Sequence, residues 1–82
     1  MQLEITTPEQ TVFSGEASAV TLPGEAGLFM VLKNHAPIIS TLVKGKIMYR
    51  TAGKDNFLEI AGGFVDVNKN NINLCVELPV NK

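Results

Sequence analysis

Tryptophan is absent from the 82 residues and tyrosine occurs once, which gives little support for a concave aromatic platform that stacks a ligand. One cysteine, Cys75, rules out an internal disulfide framework and is compatible with a reducing compartment. As a small apolar side chain it is expected in a packed or half-buried position. One histidine and one cysteine, far apart in sequence, are poor material for a metal centre, which needs several ligands at workable spacing. Seven basic residues stand against eight acidic ones, giving a formal net charge of −1 with the cations scattered singly. That excludes the concentrated cationic face required by nucleic acid and the basic cluster of a membrane-surface anchor. No apolar run approaches the ~18 residues of a membrane-spanning helix. The start, MQLEITTPEQ, has no basic stretch followed by an apolar one, so no leader is expected there.

What the sequence has in quantity is alternation. In INLCVEL, Ile72, Leu74, Val76 and Leu78 fall on one side, with Asn73, Cys75 and Glu77 on the other. FLEI, FVDV and LEI repeat the pattern around Glu59, Asp66 and Glu4. Successive side chains of a strand face opposite sides of a sheet, so these segments are predicted as half-buried strands with the carboxylates outward. Turn chemistry separates them. Pro23-Gly24 suits a type II turn. AGKDN (52–56) and NKNN (68–71) hold residues that tolerate a left-handed backbone and are predicted as hairpin tips, with Lys54 and Lys69 serving solubility. Gly62-Gly63 marks a bulge, a bend or a close backbone approach. No window holds a helical period. The expectation is an all-β sandwich of about ten short strands, closed by the polar tail of ELPVNK.

Catalytic arrangements are missing. His35 could pair with Ser14, Ser18 or Ser40, but no nucleophile motif frames any of these serines. GEASAV and PGEAG lack the Lys-Ser/Thr of a phosphate-binding loop. His35, in NHAPIIST, is either a loop histidine satisfied by neighbouring backbone or a surface residue in a protein contact, and the two can coexist.

Five segments, in order and at consistent spacing, carry a resemblance: LEITTPEQTVFSGEA, VTLPGEAG, NHAPIIST, GGFVDV and INLCVEL. Together they span nearly the whole chain. It resembles the N-terminal β-sandwich of the epsilon subunits of rotary F-type ATP synthases. The resemblance implies one domain over residues 1–82, with no catalytic residues, no metal and no cofactor. It implies a central-stalk rotor part that binds the gamma subunit and rests on the membrane c-ring, coupling proton or sodium-ion flow to ATP synthesis. It also implies a peripheral place on the cytoplasmic face of a bacterial membrane, with no direct insertion and no nucleic acid.

By the same resemblance, Thr7 and Ser40 match positions on the gamma side. Ala26, Leu28 and His35 match the end facing the ring. Ile38 and Ile39 are the apolar residues expected to widen the gamma contact, and Gly62-Gly63 could admit gamma's backbone. Leu28 stands where the family often has Glu, Met30 where it often has Gly, and Lys33-Asn34 where Pro or Gly often precedes the His. A carboxylate contact with the ring is thereby replaced by an apolar one, to which Leu28 and Phe29 would contribute. No residues remain for the helical hairpin that follows the sandwich in many members, so coupling without hairpin-type inhibition is expected. The alternatives are a biotin or lipoyl carrier, which needs a modifiable lysine in a context such as Met-Lys-Met that neither Lys54 nor Lys69 has, and a free-standing ligand-binding sandwich.

Overall fold

A computed structural model describes residues 1–80; Asn81 and Lys82, the last of the expected polar tail and of the expected domain, lie outside them. Nine strands follow one another with no helix among the described residues: β1 (Gln2–Thr6), β2 (Thr11–Glu16), β3 (Ala19–Gly24), β4 (Gly27–Leu32), β5 (Ile38–Leu42), β6 (Gly45–Thr51), β7 (Lys54–Ile60), β8 (Gly62–Asn68) and β9 (Asn71–Glu77). The all-β expectation holds, with nine strands rather than ten.

Hydrogen bonding runs in the order β2-β1-β9-β8-β5-β3-β6-β7, with β4 on the free side of β3. Strands β5 and β3 meet only through Gly24 and Leu42. At that corner the sheet turns back on itself, leaving one leaf of β2, β1, β9, β8 and β5 against another of β4, β3, β6 and β7. All pairings are antiparallel except β1 with β9.

Period-two alternation supplies the core. Leu3, Ile5, Val65, Val67, Ile72, Leu74 and Val76 point inward from the first leaf. Val20, Leu22, Val31, Ile47 and Ile60 meet them from the second. Each such side chain contributes about 1.5–3 kcal/mol relative to exposure. Phe13 of β2 and Tyr49 of β6 lie with ring centroids 4.9 Å apart, tilted by 45°, and add to the contact between the leaves. Strand β9 keeps the predicted alternation only to Val76; it ends at Glu77 and leaves Leu78 exposed.

Two predicted hairpin tips appear where expected. Thr51 pairs with Lys54 across Ala52-Gly53, with φ 51° and 77°. Asn68 pairs with Asn71 across Lys69-Asn70, with φ 50° and 62°. Both are two-residue loops with positive φ at each central residue, the twist that matches a hairpin. The Pro23-Gly24 turn does not form. Both residues belong to β3, and the reversal falls two residues later, at Glu25-Ala26. The cause is the sheet corner: β3 pairs with β6 only through Thr21 and reaches β5 at Gly24. Pro23, lacking an N–H, occupies the gap between those partners, while its carbonyl accepts from Val43 N at 2.9 Å.

Candidate functional site

With no catalytic grouping expected from the sequence, the surface is the place to look. Alternation that fills the core also fixes what each leaf presents outward. On the first leaf, the pairings align Thr41, Phe64, Cys75 and Thr6 in one outward row. The adjacent row holds Ile39, Asp66, Asn73 and Glu4. Ile39 is 77% exposed and Phe64 49%. A shallow cleft lies beside them, lined by Thr7, Thr41, Gly63, Phe64, Cys75 and Glu77 among others. Cys75 is therefore exposed, contrary to the packed or half-buried position expected for it. Its strand register puts it beside Glu77 and Asn73 on the outer face, and register outweighs a side chain's own preference for burial. Asp66 on the same face is half-buried, less solvated than expected.

Thr7 borders this cleft and is the keystone of a turn. Its hydroxyl oxygen accepts from Glu9 N at 3.3 Å and Gln10 N at 3.2 Å, and its own N–H donates to Gln10 O at 2.8 Å. Pro8, at the second position, presets the φ that this turn needs. Local hydrogen bonding of this kind is what Thr offers at turns.

Strand β5 separates the other residues expected on the gamma side. Ile39 and Thr41 face outward with Phe64. Ile38 and Ser40 face the mouth between the leaves, where Ser40 stands opposite Val65 and its hydroxyl donates to Thr41 O at 3.3 Å. That mouth is a second cleft, shared by Ile38 and Ser40 with Glu25, Ala26, Leu28 and Phe29. Ser40 and Ile38 thus sit with Ala26 and Leu28 rather than with Thr7. Leu28 is 74% exposed beside the Glu25-Ala26 turn, whereas Phe29 turns inward against the core.

The loop between β4 and β5 holds His35. Its N–H donates to Leu32 O at 3.1 Å, and its ring Nδ1 lies 2.7 Å from Ala36 O, the arrangement of an Nδ1–H donor. His35 is half-buried and bonded to neighbouring backbone through its N–H and Nδ1, in line with one of the two readings. Sequence inspection missed its neighbour. Asn34 N donates to Asn70 Oδ1 at 2.7 Å, and Asn70 Nδ2 donates to Asn34 Oδ1 at 3.2 Å. A partner 36 residues away leaves no local signal.

The second leaf has an apolar outer face of its own. Met30, Thr21, Met48 and Phe57 form one row across four strands, flanked by Leu28 and Pro23 on one side and Leu32 and Ala19 on the other. Phe57 is 65% exposed. The Thr21 hydroxyl, central in this row, is buried without a hydrogen-bond partner among the described residues. Arg50 and Asp55 border the face as a cross-strand pair at 2.7 Å.

Gly62-Gly63 shows which of its three readings applies. A Cβ on Gly63, where φ is 152°, would run into the Cys75 carbonyl oxygen and stand 2.8 Å from Val76 Cα. The close approach is made by the chain's own β9.

A sandwich that leaves Leu28, Ile39, Phe57 and Phe64 exposed on its outer faces has the surface of a contact module. Comparison with known proteins supplies the particular kind. Residues 1–81 match the family described as ATP synthase, Delta/Epsilon chain, beta-sandwich domain, and the chain belongs to that family. It is 42% identical over 76 residues to the ATP synthase epsilon chain of Chlorobaculum tepidum, covering 92% of this chain and 86% of that one. It is 36% identical over 77 residues to the epsilon chain of Nitratidesulfovibrio vulgaris, covering 94% of this chain but 58% of that longer one. A chain in the cryo-electron microscopy structure of the Euglena gracilis mitochondrial ATP synthase (OSCP, F1 and c-ring) superposes with a TM-score of 0.84 at 25% identity, over 90% of this chain and 48% of that one. The central stalk and c-ring structure of the Tetrahymena thermophila mitochondrial enzyme holds the same fold, with a TM-score of 0.80 at 16% identity. Members of this family are subunits of the synthase and not its catalytic part, which sets aside the carrier-domain and free-standing alternatives.

Proposed function

We propose that this chain is a rotor subunit that grips gamma through the first leaf and meets the c-ring through Ala26 and Leu28 at the start of β4 and through the His35 loop beyond its other end. The supporting observation is the first leaf's outer face, where Ile39 and Phe64 stand exposed beside the Thr7 turn. Exposed apolar patches of this kind mark contact sites. Ile38 and Ser40, at the mouth between the leaves, form the border between the two grips. A part that carries torque has to be stiff, and two leaves interlocked over one core resist shear because interiors are close-packed. Ion flow turns the ring, and the clamped module passes that rotation to gamma without chemistry of its own and without a cofactor.

The module works at the cytoplasmic face of the bacterial membrane, held there by the complex. No helix among the described residues is long and apolar enough to cross a bilayer. On this reading the 82 residues support coupling and do not block hydrolysis. Adding the purified chain to a cognate head stripped of its epsilon chain is expected to leave ATP hydrolysis unsuppressed.

The binding test is a double substitution, Ile39→Asp with Phe64→Asp. Both side chains already face solvent, and because Ile39 stands opposite Asp66 a melting curve of the double variant checks that the added charge leaves the fold intact. Each apolar side chain buried at an interface stabilises it by about 1.5–3 kcal/mol. Losing both weakens gamma binding by at least about a hundredfold. Phe57→Asp on the opposite leaf is the control and is expected to retain gamma. Undiminished capture of gamma by the double variant sinks this reading.

A further inference from the structure

The β4–β5 loop is held by something other than its own sequence. Three segments converge on Asn70, at the tip of the β8–β9 hairpin. Its carbonyl accepts from Gln2 N at 2.9 Å, which ties the tip to the start of β1. Its side-chain amide bonds reciprocally with Asn34, one residue before His35. The 2.7 Å bond lands on the Asn34 main chain, so it fixes backbone position and not merely a rotamer. Asn34 and Asn70 both have left-handed backbone, φ 67° and 62°, a conformation Asn tolerates better than other side-chain-bearing residues. The loop's other described hydrogen bonds are short-range: His35 N to Leu32 O, and His35 Nδ1 with Ala36 O. Those bonds shape the turn but cannot anchor it to the sandwich. Between the strand ends, where Leu32 pairs with Ala19 and Ile38 with Val67, the Asn pair is the one described hydrogen-bonded link from the loop to another part of the sandwich.

We propose that Asn70 is a positioning residue for coupling: through Asn34 it docks the His35 loop against the β8–β9 hairpin and so fixes the surface that the loop presents to its partner. This rests on the reading that the loop faces the c-ring. The Asn70 side chain acts on the loop and makes no contact with the partner itself. A loop released from it keeps its turn but loses its place on the rigid body, so torque delivered at the loop is dissipated in loop motion.

Glycine is the informative substitution at both positions, because it accepts the left-handed backbone and removes only the amide. In full-length chain, Asn70→Gly is expected to speed hydrogen exchange at the Asn34 amide about five- to tenfold, the effect of losing one net hydrogen bond. Exchange at core amides of β1 and β9 is expected to stay unchanged. In a reassembled synthase, Asn70→Gly and the double variant are expected to lose ion-driven ATP synthesis to the same extent, since Asn70→Gly already removes both bonds, whereas Asn34→Gly keeps its N–H bond to Asn70 Oδ1 and is expected to lose less. Asn70→Gln, with one more methylene, is expected not to restore it.

Unchanged exchange at Asn34 overturns the proposal and leaves the ring-facing reading standing. So does a double variant whose loss is the sum of the singles. Faster exchange with undiminished synthesis overturns it as well, and His35→Ala then decides how far the damage goes. If His35→Ala impairs coupling, only Asn70's part fails. If His35→Ala is silent too, the loop is not a coupling element and the reading beneath the proposal falls with it.

Discussion

Replacing Gly63 with Ala separates two explanations of the same residue. At φ 152° the position is hostile to any side chain, and a sparsely populated backbone conformation costs about 1–3 kcal/mol. The added methyl would also collide with the Cys75 carbonyl and approach Val76 Cα to 2.8 Å. Both are backbone atoms of a central strand and cannot rotate away. Forcing β8 from β9 adds about 1–3 kcal/mol of overpacking. The sum is about 2–6 kcal/mol, against a total stability of about 4–12 kcal/mol for 82 residues. At about 4–8 °C per kcal/mol, the melting temperature falls by at least about 8 °C. Circular dichroism melting of the purified chain measures this. Gly62→Ala is the control, because its nearest neighbour would be Leu42 O at an ordinary 3.5 Å. A Gly63→Ala chain that melts like the parent but no longer captures gamma would refute the reasoning. It would show that the glycine makes room for a partner and not for β9.

Other expectations follow from the same structure. Thr7→Ala removes the hydroxyl that closes the Thr7–Gln10 turn and costs about 1 kcal/mol, which Thr7→Ser restores; chemical denaturation of the three chains measures it. The hydrogen bond from Arg50 is the main cause holding the Asp55 carboxyl below its usual range, with the guanidinium charge acting in the same direction. The stabilisation from this pair is therefore full above the ordinary carboxylate pKa of about 4 and is lost as pH falls through the lower folded value. Melting curves between about pH 2 and 6 should fall less steeply for Asp55→Asn, and salt should narrow the difference because the pair is exposed. The Cys75 thiol, open to solvent in the isolated chain, is expected to react readily with a maleimide and to be protected once gamma covers the first leaf. Equal labelling in the assembled rotor would move gamma off that face.

Much of this fold is readable along the chain because it rests on local rules. Ile72, Leu74 and Val76 announce their inward side by spacing alone, and Ala52-Gly53 and Lys69-Asn70 announce their turns by backbone tolerance. What the chain conceals depends on which strand becomes whose neighbour. Pro23-Gly24 has the composition of a turn, but β3 changes partners there, and only the closed sheet makes that change. Cys75 is exposed because of β9's register. The Asn34–Asn70 pair joins two unremarkable loop residues that topology brings together. For the candidate site, the five motif segments pointed to the residues, while the division of β5 was not anticipated. Ile39 looks outward and Ser40 inward because alternation applies within a motif as strictly as within a core strand.

The parallel pairing of β1 with β9 has a consequence in time. Thr6 Oγ1 reaches the carbonyl of Leu74, 68 positions along the chain, and Leu3 and Ile5 wait beside Ile72 and Leu74. β1 can form a hairpin with β2 as soon as both are made, but its other neighbour, β9, is the last of the described strands to leave the ribosome. Closing so long a loop is entropically costly before any contact repays it, which places such topologies among the slow two-state folders, on the order of milliseconds to seconds. Until then β1 has only β2 beside it, with its other edge unpaired and Leu3 and Ile5 uncovered, and newly made chains are most open to misassociation in that interval.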